Sequence, residues 1–492
     1  MKSAIRSGKT LPLTANSSRN DCGTRRLRLG RRSFLALLGA LPAAAAAREP
    51  DSAAIGHILF DPDDGRVLDA LAADTPVIPA SVAKLPTVAA ALALLGPDHR
   101  FTTRLLASGR LADGVLRGDL ILQGGGDPAL ATEGLLRLLD GLATAGLRRV
   151  DGRFLHDTSL LPELAEIDAG QPWAAPYNTG VGALALNYNR ALLNWRRGGA
   201  GPAGAGPEAL TVADAGRLPL DSVAVRAMAD GGGFPLLPDG VDRWRMAPPA
   251  TGEAGTAWVP VARPGLAAAT LVRRLAAEAG IALPPPQPGR APAGAVPLAA
   301  LDSPPLTELA RGLLRHSNNL SAEMIGLAAS RRLEPGAATL ERSAALLQHW
   351  LTRQPVDSQL AGGGWSGLRL VNHSGLGTGS RATPRQMAAL LRAGGPALWD
   401  LLPGEEDGKA LPPGVHAKSG TLAYVKGLAG LLTAASGQRL GFALFITDPA
   451  RRAAMDAALD RRVTATPPQA RGWAADARKR QSGILEKWSL TY

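Results

Sequence analysis

The chain has 492 residues and a formal net charge of +12, with 54 lysine or arginine residues against 42 acidic ones. Roughly two thirds of that excess lies in residues 1–47, which hold nine basic residues and one acidic residue. With only 4% aromatic residues and no basic stripe elsewhere, the composition excludes a nucleic-acid partner. The single cysteine, Cys22, excludes an internal disulfide, and the histidines have no zinc-binding spacing, so no metal or cofactor is expected.

Residues 1–47 are predicted to be an export signal. The run Gly-Arg-Arg-Ser-Phe-Leu at 30–35 opens the apolar segment Phe34–Leu41, and alanines follow at 43–47. A charged stretch, a short apolar core and small residues are typical of a cleaved leader that is too short to span a bilayer. The paired arginines resemble a twin-arginine signal, with an ordinary Sec signal as the alternative. We expect an exported, periplasmic protein without a permanent membrane span.

A β-hairpin and a buried helix are predicted next. Ala54–Phe60 and Arg66–Leu71 have strand-like patterns on either side of an Asp-Pro-Asp-Asp-Gly turn. The alanine-rich segment Ser81–Leu95 predicts a helix that ends at a glycine. Pro86 interrupts this helix because proline has no N–H for the bond to the preceding turn. We therefore expect either a kink there or a helix whose regular part begins at Lys84.

Residues 100–299 differ from the segments before and after them in their content of glycine, proline and short strand-like patterns. Glycine-rich and proline-rich loops separate short strand-like segments and two predicted helices, Thr132–Ala145 and Leu266–Ala279. The proline-rich run 284–292 is interpreted as a stiff connector. This stretch is predicted to be a large inserted region of one or two small, mainly β domains.

Regular structure resumes after residue 300. The patterns predict an α/β (α+β) sandwich of helices on an antiparallel sheet that uses both ends of the chain. We expect 48–99 and 300–492 to form this discontinuous domain. The predicted helices are Leu306–Arg315, Leu320–Ser330, Ala337–Leu351 and Thr383–Leu391. The predicted strands are Val415–Thr421, Gly427–Ala434 and Arg439–Thr447, and the segment Arg451–Arg461 and a tail helix follow them.

The first chemical motif is Ser81-Val82-Ala83-Lys84, at the start of the predicted helix. The chain has eight lysines against 46 arginines, and none of the eight lies between Lys84 and Lys409. Residues three apart share a helix face, so the lysine is expected to contact the serine. A serine hydroxyl needs a base to become a nucleophile, and a buried lysine, unlike an arginine, can lose its proton. Alone, this short motif is a weak signal.

Two further motifs complete a triad. Ser317–Asn319 supplies a hydroxyl that can relay a proton and a carboxamide that can hold a substrate amide. Lys418–Thr421, on a predicted strand, offers an ammonium group and hydroxyls to a carboxylate, and Gly420 permits close approach of a substrate backbone. The backbone N–H groups of Thr421 and Ser81 are candidates for an oxyanion hole. Each motif is weak alone, but the ordered triad is a strong signal for a serine acyl-transfer enzyme.

On these motifs, the sequence resembles the class C low-molecular-mass penicillin-binding proteins, the D-alanyl-D-alanine carboxypeptidase/endopeptidase family of penicillin-recognising serine peptidases. The gap of 236 positions between Ser81 and Ser317 is similar to that family's insertion and argues against compact β-lactamases. The resemblance implies a β-lactamase/transpeptidase-like fold. Further sequence segments typical of the family lie at 79–85, 118–128, 183–189, 317–323, 373–376 and 417–421.

The resemblance also implies the chemistry. Ser81 would be acylated by the penultimate D-alanine of peptidoglycan stem peptides, with Lys84 as the base and Ser317 as a proton shuttle. β-Lactam antibiotics would be covalent inhibitors, and cross-links to diaminopimelate would be further substrates, with Asp157 contacting the ammonium group. No oligomeric state is implied. Substrate-binding roles fall to Asn319, Lys418, Ser419, Gly420 and Thr421.

Two departures from the family pattern stand out, and two alternative functions stay open. Asn372 occupies the position of a family aspartate in the segment Asn-His-Ser-Gly-Leu, and Pro86 is unusual so close to Lys84.

A β-lactamase or esterase on the same fold would need rapid deacylation by an activated water. A non-catalytic peptidoglycan-binding scaffold is the other alternative, and the intact motif residues argue against it.

Overall fold

A computed structural model describes most of the chain after residue 52. The predicted export signal and Cys22 lie outside the described residues. Within the described part, no helix is both long enough and apolar enough to cross a membrane. The described ranges are 53–196, 207–213, 216–228, 236–247, 254–336, 339–360, 362–464 and 466–492.

Along the chain, a hairpin and one helix are followed by a strand-rich middle, a helical segment, three further strands and two final helices. The strands are β1 (Ala54–Phe60), β2 (Val67–Leu71), β3 (Thr102–Ala112), β4 (Val115–Gln123), β5 (Arg149–Val150), β6 (Phe154–Asp157), β7 (Arg190–Arg196), β8 (Glu208–Ala213), β9 (Gly216–Pro219), β10 (Ala224–Ala227), β11 (Leu236–Pro238), β12 (Arg243–Met246), β13 (Ala254–Pro260), β14 (Pro286–Pro288), β15 (Val296–Asp302), β16 (Val415–Leu422), β17 (Val425–Thr433) and β18 (Arg439–Thr447). The helices are α1 (Lys84–Leu95), α2 (Thr132–Thr144), α3 (Pro264–Glu278), α4 (Leu306–His316), α5 (Asn319–Ser330), α6 (Leu340–Leu351), α7 (Pro384–Trp399), α8 (Pro449–Ala458) and α9 (Pro468–Thr491).

A five-stranded antiparallel sheet joins the two ends of the chain. Its strand order is β16-β17-β18-β1-β2, so the N-terminal hairpin pairs with the C-terminal meander. Side chains of β18 alternate: Phe442 packs in one core with Trp488 of α9, and Phe445 packs in another with Leu85 of α1. This period of two puts helices on both faces. The predicted sandwich of helices on an antiparallel sheet is confirmed.

The helix predicted over Ser81–Leu95 divides at Lys84. Ala80–Ala83 form a 3₁₀ turn, and the regular helix begins at Lys84, which is one of the two outcomes expected from Pro86. Proline is tolerated there because N–H groups in the first turn have no partner within the helix. The helix therefore carries Pro86 without a kink in its interior.

Residues between β3 and β15 build three sheets around their own hydrophobic core. The sheet orders are β14-β6-β4-β3-β15, with β5 beside β4, then β13-β7-β8-β9 and β10-β12-β11. The pairing of β15 with β3 closes this region on itself near both predicted boundaries. The division into domains at 100 and 299 stays a prediction. The run 284–292 is more than the expected connector, because Pro286–Pro288 pairs with β6 as an edge strand, where proline costs no ladder bond.

Candidate active site

Ser81 and Lys84 lie where the 3₁₀ turn meets α1. Ala80 has a left-handed backbone (φ 47°), which turns the chain into the segment that carries Ser81. Lys84 Nζ lies 3.0 Å from Ser81 Oγ, and it donates to Asn319 Oδ1 at 2.8 Å and to the carbonyl oxygen of Ser374 at 2.7 Å. A neutral amine has two N–H donors and one lone pair. The two carbonyl-type oxygens take the donors, so the lone pair of a neutral Lys84 faces the Ser81 hydroxyl.

Burial sets the protonation of Lys84. The side chain has no exposed surface. Burial lowers its pKa from 10.5 to about 7, against the opposing charge of Glu323. With a pKa near 7, about half of the lysines are neutral at pH 7, against roughly one in 3,000 at the ordinary value. Lys84 therefore meets both requirements of a general base, contact with the nucleophile and a suitable pKa.

The Ser317–Asn319 segment is held by the junction of two helices. The helix α4 ends at His316, and its C-cap Ser317 adopts a left-handed backbone (φ 54°). Asn318 caps α5 by accepting from the N–H of Ser321 at 2.9 Å. This junction directs Asn319 at the first position of α5 towards Lys84. Its Nδ2 also donates to the carbonyl oxygen of Tyr177 at 3.1 Å. The Asn319 amide thus links Lys84 to the inserted region.

The Lys418–Thr421 segment lies on β16, at the edge of the central sheet. A Cβ atom at Gly420 would lie 2.7 Å from the Pro79 carbonyl oxygen and 3.0 Å from the Ser81 nitrogen, so glycine lets this strand approach the turn that carries Ser81. Lys418 is 2% exposed and donates to the Ser419 carbonyl oxygen at 2.8 Å. Burial, together with repulsion from Lys84, holds the pKa of Lys418 well below its usual value.

One cleft of about 420 Å³ contains residues from all three motifs: Ser81, Ser317, Asn319 and Thr421. Lys84, Lys418 and Gly420 are buried and are not among the residues that line this cleft, and Ser419 lines a smaller cavity beside β16. Residues that the sequence did not indicate also line the cleft. Among them are isolated loop or helix positions without a motif: Gln171, Tyr177, Arg461, Ala470 and Arg471.

A buried glutamate, Glu323, supports the segment that binds Lys84. Its carboxylate accepts from the backbone N–H groups of His373 and Ser374, each at 2.9 Å. Burial raises the pKa of Glu323, which has no exposed surface. Glu323 lies on α5, one helical turn after Asn319, so the two side chains share a face of the helix. This spacing in the sequence could have predicted that Glu323 lies near the site.

The Asn372 departure is accommodated without loss of a backbone contact. Its Oδ1 accepts from the N–H of Gly375 at 2.9 Å, a bond for which an amide oxygen suffices. His373 is a packed core residue: its Nε2 contacts Ser343 Oγ at 2.7 Å, and burial lowers its pKa to about 3. It is therefore neutral at physiological pH and is not placed as a base.

Asp157 does not fit the ammonium contact that the family resemblance implies. It is 4% exposed, and its carboxylate accepts from the N–H groups of Ala291 at 2.9 Å and Ser159 at 3.0 Å and from Gln123 Nε2 at 3.2 Å. It is not among the residues that line the cleft. The structure gives Asp157 a structural role inside the inserted region.

Comparison with known proteins places this geometry in a family. A carboxypeptidase of Mycobacterium tuberculosis is 28% identical over 457 residues, covering 85% of this chain and 86% of that protein. A D-alanyl-D-alanine carboxypeptidase of an Actinomadura species is 28% identical over 425 residues, covering 79% and 77%. Penicillin binding protein 4 of Haemophilus influenzae has the same fold, with a TM-score of 0.68 at 22% identity, covering 81% of this chain and 91% of that one.

The family model for the D-Ala-D-Ala carboxypeptidase 3 (S13) family matches residues 39–401. That range includes two of the three motifs, and the Lys418 motif lies beyond it. The solved relative confirms the predicted transpeptidase-like fold with an inserted region. Because the match covers well over half of the sequence, the chain belongs to the D-Ala-D-Ala carboxypeptidase 3 (S13) family and is a serine-type D-Ala-D-Ala carboxypeptidase.

Proposed function

We propose that Ser81 Oγ attacks the carbonyl carbon of the penultimate D-alanine in a peptidoglycan stem peptide. The bond from that carbon to the terminal D-alanine nitrogen breaks, which leaves an ester on Ser81, and water then hydrolyses the ester. The observation that carries this proposal is the 3.0 Å contact between Ser81 Oγ and Lys84 Nζ, a base with a pKa of about 7. Position and protonation state together are what an activated serine requires.

We propose the following roles for the remaining motif residues. Lys84 takes the Ser81 proton, and Ser317, on the cleft wall, passes a proton to the leaving amine. Asn319 holds the substrate backbone amide. The N–H groups of Ser81 and Thr421 stabilise the oxyanion, an interaction worth about 3–4 kcal/mol for each donor. The terminal carboxylate is bound along β16 by Lys418, Ser419, Gly420 and Thr421.

The proposed substrate fixes where the protein works. Peptidoglycan lies outside the cytoplasmic membrane, so the protein must be exported, and residues 1–47 supply a signal for it. We assign the twin-arginine route on the paired arginines and a periplasmic location on the substrate. Residues 100–299 are proposed to be an inserted domain that contributes Gln171 and Tyr177 to the cleft.

A β-lactamase is less well supported by the site. Rapid deacylation needs a carboxylate or another base aimed at a water beside the ester. No aspartate or glutamate is among the described residues that line the cleft. Both oxygens of Glu323 already accept backbone N–H groups. We therefore expect a penicillin adduct on Ser81 to persist.

The test is the intact mass of the protein during incubation with benzylpenicillin, alongside release of D-alanine from a D-Ala-D-Ala peptide. The wild type should gain one penicilloyl group and release D-alanine. Ser81→Ala should do neither, and Ser436→Ala, an exposed serine in the turn after β17, should behave as wild type. Rapid turnover of penicillin without an adduct would favour the β-lactamase. Neither reaction in the wild type would favour a non-catalytic scaffold.

A further inference from the structure

Beside the Lys418 motif lies a second buried lysine that no motif includes. Lys426, on β17, is the cross-strand partner of Thr421 on β16. It is 6% exposed, although lysine is rarely buried without a specific partner. Its Nζ donates to Thr421 Oγ1 at 2.7 Å. This contact joins Lys426 to a residue of the cleft.

Lys426 also lines a cationic cavity that is distinct from the cleft. This cavity, of about 210 Å³, lies between β16 and the helix α9. Two further cations line it, Lys409 and Arg478, and so does Ser419 of the Lys-Ser-Gly-Thr motif. Among the described residues that line it there is no aspartate or glutamate. Such a concentration of one charge favours an anionic group at the strand edge.

The direction of the Lys426 contact fixes the role of the Thr421 hydroxyl. An ammonium group has donors and no acceptor, so Thr421 Oγ1 must accept this bond. The hydroxyl proton is then left to donate elsewhere, and Thr421 is exposed in the cleft that contains Ser81. A hydroxyl that donates, backed by a cation, suits a carboxylate, which only accepts.

We propose that Lys426 is a positioning residue for substrate selection: it makes Thr421 a dedicated donor and, with Lys409 and Arg478, favours peptides that end in a free carboxylate over the same peptides ending in an amide. This inference rests on the proposed function, because it concerns the group next to the scissile bond. Lys426 acts through Thr421 and the local potential, and it takes no part in the bond that breaks.

The protonation of Lys426 gives the inference a pH signature. Burial, with repulsion from Arg478, lowers the pKa of Lys426 to about 8. The charged groups around it are Arg478 on α9, Lys409 in the loop before β16, and Lys418 on β16. As the pH rises through about 8, Lys426 loses its charge and the preference for a carboxylate falls. An arginine at this position stays charged over that range.

The experiment measures kcat and KM for a D-Ala-D-Ala peptide and for its C-terminal amide, between pH 6.5 and 9.5. Lys426→Met should raise KM for the acid roughly tenfold, as expected for one charge-assisted hydrogen bond, and change kcat by less than about twofold. KM for the amide should stay constant. Lys426→Arg should keep the preference and lose the change near pH 8. Lys479→Met, which removes an exposed lysine of α9, is the matched control.

The outcomes separate this inference from the proposed function. Equal effects of Lys426→Met on the acid and on the amide, or no effect on either, would overturn the role of Lys426 while leaving Ser81 catalysis intact. A wild type that cleaves neither peptide and forms no penicillin adduct would overturn both. Circular dichroism of each variant identifies loss of folding, and Lys426→Gln then repeats the test with a smaller, polar side chain.

Discussion

The protonation of Lys84 should control the acid limb of the pH profile. Burial lowers the pKa of this lysine to about 7, and only the neutral amine can accept the Ser81 proton. Below that pH the neutral fraction falls tenfold for each unit, from about half at pH 7 to about 1% at pH 5. Lys84→Arg removes the neutral form altogether, since arginine stays protonated. We expect a loss of acylation rate of about a hundredfold to ten-thousandfold, the range expected when a general base is lost.

The assay is the second-order rate of Ser81 acylation by benzylpenicillin, followed by quenched-flow mass spectrometry from pH 5 to pH 9. The wild-type rate should have its midpoint near pH 7 and a slope of one below it. Lys479→Arg, the same change at an exposed lysine, should reproduce the wild-type profile. A midpoint at pH 9–10, or acylation of Lys84→Arg at a rate close to wild type, would contradict a neutral Lys84 as the base at pH 7. The first result would mean that the pKa of Lys84 stays near its ordinary value, and the second would mean that a protonated side chain suffices.

Three further substitutions test the packing around the site. Gly420→Ala puts a Cβ 2.7 Å from the Pro79 carbonyl oxygen and 3.0 Å from the Ser81 nitrogen, so the turn must shift: kcat/KM should fall about 10- to 100-fold and Tm should fall as well, measured by peptide hydrolysis and calorimetry. Gly326→Ala puts a Cβ into the space that the His373 ring occupies, and overpacking should lower the free energy of unfolding in urea by about 1–3 kcal/mol. Glu323→Gln leaves one of two buried N–H groups without an acceptor and should cost about 1–3 kcal/mol in the same assay.

A glycine in open surroundings is the control for the two alanine substitutions. Gly472, on the exposed side of α9, leaves open space within 4 Å of the position that a Cβ atom would take. Gly472→Ala should therefore raise stability by up to about 1 kcal/mol without affecting hydrolysis. Full activity in Gly420→Ala would show that the close contact between β16 and the Ser81 turn is not needed for catalysis. Unchanged stability in Gly326→Ala or Glu323→Gln would show that those contacts adjust without cost.

Local patterns in the chain predicted most elements of the central sheet and its helices. Strands β1 and β18 occupy the predicted residues, because their alternation and flanking turns are local signals. α7 is longer than predicted: its segment breaks at Gly395 (φ 53°) and then continues to Trp399, which is buried. The sequence pattern predicted that this helix ends at Leu391. Tertiary burial continued the segment, which no local pattern could indicate.

The motifs predicted a candidate nucleophile and its partners because the chemistry needs particular residue types at short spacings. The sequence alone determined that Ser81 and Lys84 share a turn and that the fold joins both chain ends. Only the tertiary structure decided the protonation of Lys84, the support from Glu323 and the contact of Lys426 with Thr421. These depend on burial and on partners far apart in the chain: Asn319 lies 235 positions from the Lys84 that it contacts. Desolvation and long-range contact are properties of the packed chain, and a pattern of neighbouring residues carries no measure of either.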